Sequence, residues 1–330
     1  MRYESSNCCV YVPKEDYETE KLCEEVLSEQ GLNRVEILGQ GAFGVVYLYE
    51  DEEEQQYAVK FRKIADINGD QRFLYNEPDI TCICRNYLCK HNDCAQTIAN
   101  VYDAFICDGR TEVATVTEYI AGSFDQHLIL MYSTLAPYAT LFTRPKFLAS
   151  RKYILDVQLI QMRGYLFQLV KTISLLQDAA QFTHYDLKPD NIRLQNRLYD
   201  KQCSSQYPFT FSDTSGYVTS IIDFGLARIK QGGRGEVLSG DNILREFHPY
   251  HDLRFLGMHI IRSLPFMFGK NVINTNIIDF KDFVEAMVDP LNVEEIINVD
   301  HEMLRKESES LYEGNNPNKL LKHEFFKLYK

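Results

Sequence analysis

Residues 35–61 read VEILGQGAFGVVYLYEDEEEQQYAVKF, and their punctuation leaves few folds open. β-Branched and aromatic residues run up to Gly39, Gly41 and Gly44, continue to an acidic turn, and resume as far as Lys60. That is strand, glycine turn, strand, acidic turn, strand. A dinucleotide-binding βαβ unit uses the same GxGxxG letters but opens a helix at the third glycine. Here the third glycine opens VVYLYE, which is strand-forming throughout. The loop therefore joins two antiparallel strands, and its glycine backbone can approach phosphate closely.

The rest of the chain fits an α+β class. Residues 1–33 are acidic and polar, with helix-like YETEKLCEEVLSEQ, and read as an amino-terminal extension. A helix is expected around Phe73–Leu88, then strands at NVYDAFI and EVATVTEYI, closed by Gly122. Beyond it the period becomes helical. Leu159, Met162, Leu166, Leu169, Ile173 and Leu176 share one helical face, and Phe280, Phe283, Val284, Met287 and Val288 share another. Such stripes are core. The expected architecture is a small antiparallel β-rich lobe over 34–121, a hinge near Glu118–Gly122, and a larger, mainly helical lobe over 122–330. The larger lobe carries an insert near 195–219 and a helical carboxy-terminal tail packed on it.

Lys60 sits in an apolar strand, and an unpaired buried ammonium is expensive. A phosphate and a helix carboxylate would satisfy it. Glu77 is the expected carboxylate, ahead of Asp79. Pro78 cannot occupy a helix interior, so the helix should start there with Glu77 at its amino end. Val46 would pack on a purine and Thr117 would line the back of a base pocket. The Glu118 carbonyl and Ile120 amide would meet the adenine edge. Asp125 is expected either at a ribose hydroxyl or as a helix cap. In FTHYDLKPDNIRL, residues 182–194, Asp186 can accept a hydroxyl proton and Lys188 can reach a transferring phosphoryl group. Asn191, and Asp223 in IIDFGLARI, are hard oxygen donors suited to magnesium.

With HxDLKxxN, an apolar strand and DFG all downstream of GxGxFGxV and AVK, the chain resembles a eukaryotic-type protein kinase over residues 35–290. The resemblance implies a bilobal fold, ATP with Mg2+, and a protein hydroxyl as acceptor. DLKPDN resembles the serine/threonine form of the loop. Three departures stand out. Tyr185 occupies the place of an arginine that grips a phosphorylated activation loop in many kinases, the interval from Asn191 to Asp223 is long, and no APE follows DFG. Instead EFHPYHDLRFLGMHI supplies Asp252 and Gly257 as the DxxxxG of a buried helix, which gives Asp252 a structural role behind the catalytic loop. These features resemble haspin and kinases of large DNA viruses. The expectation is transfer that does not wait for activation-loop phosphorylation. A small-molecule kinase on the same fold and a nucleotide-binding pseudokinase scaffold are the alternatives.

A formal net charge of −12 disfavours nucleic acid and anionic membrane as partners and mildly favours basic protein substrates. No apolar run approaches the ~20 residues that span a bilayer. The first residues lack the basic start and apolar block of a secretory signal. The nine cysteines show no framework and are expected to be reduced thiols in a cytoplasmic or nuclear setting. Cys82, Cys84, Cys89, His91 and Cys94 could hold zinc, but without paired CxxC knuckles buried free thiols are expected there instead.

Overall fold

The computed structural model describes residues 8–9, 20–41, 44–63, 76–90, 95–109, 111–137, 145–196, 217–230, 237–239, 246–268, 275–310 and 313–329. The chain divides into two compact units, residues 1–120 with 222–246, and residues 121–221 with 247–330.

The first unit is built on a five-stranded antiparallel sheet in the order β1-β2-β3-β5-β4. Its strands are β1 (Asn33–Gly41), β2 (Gly44–Glu50), β3 (Gln56–Lys63), β4 (Val101–Cys107) and β5 (Glu112–Glu118). Strand period decides what each face carries. Tyr57, Val59 and Phe61 of β3 are buried on one side, while Ala58 and Lys60 alternate to the other. Directly opposed residues share a face, so Val46, Lys60 and Thr115 line up across the sheet, as do Leu48, Ala58 and Thr117. Helix α1 (Cys23–Glu29) packs Cys23, Val26 and Leu27 into a core with Tyr49, Tyr57, Val59, Phe61 and Phe105. Full burial of each aliphatic side chain contributes about 1.5–3 kcal/mol. Part of the expected amino-terminal extension is thus built into this core.

The cysteine expectation is corrected. Cys8 is bridged to Cys89, Cys9 to Cys82 and Cys23 to Cys107, with Cα atoms 5.5, 5.4 and 5.2 Å apart. These separations suit disulfides. The partners lie 81, 73 and 84 residues apart, so local spacing held no sign of them. Bridging also takes Cys82 and Cys89 from the candidate zinc set. Cys84 is a free, buried thiol, and burial pushes its pKa up. His91 and Cys94 lie outside the described residues.

Helix α2 (Asn76–Lys90) starts two residues before Pro78, which therefore falls in the first turn, where its missing N–H is not needed. Strands β9 (Arg228–Lys230) and β10 (Val237–Ser239) form an antiparallel pair in the same unit. The Asn76 side chain donates to the Ser239 carbonyl at 2.7 Å, tying the start of α2 to β10.

The second unit holds a small sheet of β6 (Gly122–Ser123), β7 (Ile192–Asn196) and β8 (Tyr217–Ile221), with helices α3 (Phe124–Leu135), α4 (Pro145–Ala180), α5 (His251–Ser263) and α6 (Thr275–Val288). Ser123 caps α3 by accepting from the Gln126 amide. Both predicted stripes are buried, on α4 and α6. A side chain at Gly257 of α5 would meet Val288 at 2.9 Å and Met287 at 3.0 Å, so glycine lets α5 and α6 approach. The predicted insert is flanked by the paired arms β7 and β8, and residues 197–216 lie outside the described residues. After α7 (Val293–Asn298), α8 (His301–Ser310) and α9 (Pro317–Leu320), the tail packs back. Phe325 and Phe326 lie against Phe283 with ring centroids 4.9 and 4.6 Å away. Fully buried Arg254 donates to the carbonyls of Ser308, Asp289 and Glu313. No helix among the described residues is long and apolar enough to cross a membrane.

Candidate active site

Three charged side chains of the first unit meet at one point. The Lys60 ammonium donates to Glu77 at 2.8 and 3.1 Å and to Asp223 Oδ1 at 2.8 Å. Glu77, not Asp79, is the carboxylate at Lys60. Burial alone would lower the Lys60 pKa, but the Asp223 and Glu77 carboxylates outweigh it and raise the value. Lys60 therefore stays charged. Asp223 adopts φ +59°, the left-handed region, which aspartate tolerates better than most residues. A Cβ added at Gly225 would lie 3.2 Å from Asp223 Oδ1, 3.4 Å from Glu77 Oε2 and 3.6 Å from Lys60 Nζ. Glycine there keeps the space beside the cluster open.

The glycine turn comes next on the same sheet. Gly39 pairs with Val46, Gly41 pairs with Gly44, and Val46 pairs with Lys60. At Gly44, φ is +122° and any Cβ would fall 2.0 Å from the Phe61 carbonyl, so only glycine fits. At Gly39 and Gly41 an added Cβ would meet nothing within 4 Å among the described residues, which leaves their backbone open to a ligand. The Thr117 hydroxyl donates to the Ala58 carbonyl at 3.0 Å. The Glu118 amide donates to the Asn100 carbonyl at 2.9 Å, and its carboxylate accepts from the Asn100 amide at 3.2 Å and lies 3.7 Å from Arg85. The Ile120 side chain is buried.

In the second unit, Asp186, Lys188 and Asn191 form a compact group. Asp186 Oδ2 accepts from Lys188 Nζ at 2.8 Å and from Asn191 Nδ2 at 2.9 Å, and Asn191 Nδ2 also reaches the Asp186 carbonyl at 2.8 Å. Asp186 Oδ1 and Asn191 Oδ1 take no part in these bonds. Behind them the fully buried Asp252 carboxylate accepts from the amides of His184 at 2.8 Å and Tyr185 at 3.0 Å. Burial pushes the Asp252 pKa up to about 7, against the pull of those two amides. The buried Tyr185 ring packs against His251 at 5.0 Å and His248 at 6.1 Å, at left-handed φ +64°. Asp125 lies in the first turn of α3, whose cap is Ser123, so the capping reading of Asp125 is corrected.

Sequence reasoning missed two members of this neighbourhood. Arg62 donates to Glu77 Oε2 at 3.4 Å, and its position two residues beyond Lys60 on the same strand was the available signal. Asn76 had no such signal, because its partner Ser239 is 163 residues away.

A carboxylate and a carboxamide are the hard oxygen donors magnesium prefers, and magnesium is held by one or two such groups plus substrate phosphates, not by a full protein cage. No group of three or more His, Cys, Asp or Glu among the described residues could hold a metal alone. Asp223 carries such a carboxylate and Asn191 such a carboxamide.

Residues 32–242 match the protein kinase domain family, and the chain belongs to that family. Its two-lobed α+β fold follows. A solved structure described as titin kinase and its flanking domains aligns over 98% of this chain with a TM-score of 0.47 and 17% identity. The chain spans half (50%) of that structure's length. No curated protein matches the chain.

Proposed function

We propose that the chain transfers the terminal phosphoryl group of ATP to serine and threonine hydroxyls of proteins, with magnesium, and without needing a phosphorylated activation loop. The observation that carries this reading is the double engagement of Lys60 by Glu77 and Asp223, residues 17 and 163 positions away in sequence. Such a charged cluster is what a triphosphate needs: an ammonium for phosphate oxygens and a carboxylate for the accompanying cation. The open backbone at Gly39 and Gly41 and the adjacent Val46 suit phosphate and purine, with Thr117 proposed at the back of the base pocket and the Glu118 carbonyl and Ile120 amide at the adenine edge.

Asp186 Oδ1 accepts the proton of the attacking hydroxyl, while Lys188 and Asn191 hold the carboxylate in place through Oδ2. Lys188 also offsets charge on the transferring group. Asp223 in the first unit and Asn191 in the second are each proposed as an oxygen ligand to magnesium, which would neutralise phosphate charge. The DLKPDN loop supports a serine/threonine acceptor, and the missing APE, long insert and HPY segment support placement near haspin and kinases of large DNA viruses.

Independence from loop phosphorylation rests on two features. Tyr185 fills a buried aromatic site where an arginine would offer a guanidinium to a phosphate. After Asp223, strands β9 and β10 also pair with each other, and Asn76 ties β10 to α2. A peptide library carrying serine, threonine or tyrosine acceptors, read by mass spectrometry with and without magnesium, tests the reading. Magnesium-dependent phosphorylation of serine and threonine is expected, lost in Asp223→Ala and unchanged after phosphatase treatment. Activity only on small molecules, or none, overturns it; loss of most of the rate after dephosphorylation overturns the independence alone.

A further inference from the structure

We propose that Cys8 and Cys9 form a redox-modification site on α2, the helix that carries Glu77, and that reducing its two disulfides releases that helix. Cys82 and Cys89 lie seven residues apart, two helical turns, so both project from one side of α2. Two adjacent cysteines of the chain bridge to both of them. Asn86, between the two sites, accepts from the Cys9 amide at 2.8 Å, so backbone as well as sulfur holds the strap. Glu77 is five residues before Cys82 on the same helix.

The two bridges differ in access. Cys9 and Cys82 are buried beside Val101 and Ala104, whereas Cys8 and Cys89 are half-buried. Thiol–disulfide exchange needs an approachable sulfur, so Cys8–Cys89 opens first. Each disulfide takes two electrons and two protons from a dithiol, such as dithiothreitol, which becomes a cyclic disulfide. Oxidised glutathione drives the return and leaves as two molecules of the thiol. Opening both removes cross-links that close 81 and 73 residues of chain. The remaining ties of α2 to other elements include Arg85 to the Ile98 carbonyl, Asn76 to Ser239, and the ion pairs of Glu77. The third bridge, Cys23–Cys107, joins α1 to β4 and leaves α2 out, which makes it an internal control.

The effect on rate rests on the phosphoryl-transfer reading; the chemistry of the strap does not. The full chain is equilibrated with oxidised glutathione or dithiothreitol, its free thiols are blocked, and it is digested with trypsin. Cleavage after Arg85 puts Cys82 and Cys89 in separate peptides. The oxidised chain should yield the Cys8–Cys9 peptide joined to both. Cys8→Ser should leave only the Cys82 peptide attached, and Cys9→Ser only the Cys89 peptide. Amide exchange over α2 should quicken about tenfold or more on reduction while β2 and β3 stay unchanged. The KM for ATP should rise several-fold in step, and Cys23→Ser should keep this response. Failure to recover either cross-link after oxidation, or equal exchange of α2 in both states, overturns the proposal. So does a loosened α2 with an unchanged KM in an active enzyme. A chain that shows both cross-links and the exchange change, yet transfers no phosphate, defeats the functional reading and leaves the strap standing.

Discussion

The polar clusters of the two units are held by opposite means. Lys60, Glu77 and Asp223 come from a strand, a helix and a turn, and charge attraction joins them across up to 163 residues of chain. Asp186, Lys188 and Asn191 lie within six residues of each other, and the backbone just before them is fixed by a buried carboxylate on α5. The first cluster depends on its own ion pairs; the second depends on a buried scaffold behind it. Substitutions should therefore fail differently in the two places. In the first, losing one partner should damage both stability and rate. In the second, a reacting side chain should be separable from the fold.

The largest effect is expected at Asp186. Asp186→Asn removes the proposed proton acceptor and should lower kcat by about 10²–10⁴-fold. Unfolding in urea should shift by under about 1 kcal/mol, because the pair with Lys188 is partly exposed. A larger loss of stability would break the contrast, since it would make Asp186 part of its own scaffold. Lys60→Met is the matching change in the first unit. It leaves Glu77 and Asp223 without their shared cation and should lower the rate about 10²–10³-fold. It should also destabilise by about 3 kcal/mol, the order found when one partner of a buried pair is removed. Adding Glu77→Gln should recover part of that stability, and a double-mutant cycle that proves additive would sink the argument from charge.

This contrast also explains what was legible in the sequence. The loop holding Asp186 could be read because its parts are local and its spacing is its geometry. Lys60 could be read because a lysine in an apolar strand demands a partner; that Val46 and Thr117 lie on its side of the sheet is seen in the strand register. The sequence favours Glu77 over Asp79 in spite of Pro78, and the helix start at Asn76 removes the objection by placing the proline in the first turn. The cysteine bridges, and Asn76 at Ser239, were not legible. Their partners are 73 to 163 residues apart, and no local rule of period or spacing encodes such a pairing. Tyr185 was visible as a missing arginine, but its aromatic packing against His248 and His251 emerged only in three dimensions.

The scaffold side of the comparison can be sharpened by pH. Burial pushes Asp252 up to about 7, well above the ~3.9 of an unfolded aspartate. The folded state thus binds the extra proton between those values. The stabilisation this gives is fully present below about pH 4 and is lost as pH rises through about 7. Within that window wild-type stability, measured relative to Asp252→Asn, should fall by up to about 1.4 kcal/mol per pH unit. Urea unfolding at pH 5 and pH 6 checks it. A difference that does not change with pH would mean that the amides of His184 and Tyr185 hold Asp252 ionised throughout.

The smallest effect tests how far the charge argument extends in the first unit. Arg62 reaches Glu77 at 3.4 Å, longer than the 2.8 Å from Lys60, and donates to the oxygen that Lys60 holds less closely. If Glu77 is positioned chiefly by Lys60, Arg62 is an auxiliary cation. Arg62→Met keeps the length of the apolar stem and removes only the guanidinium. It should destabilise by about 1 kcal/mol and raise the KM for ATP two- to threefold, roughly the weight of one weak charged contact. The buried Glu77 keeps its main partner, so the loss of about 3 kcal/mol expected for Lys60→Met should not recur. A fall as large as that would show that Glu77 is shared equally between the two cations. The cluster would then be a four-residue network in which the strand positions 60 and 62 act as one unit.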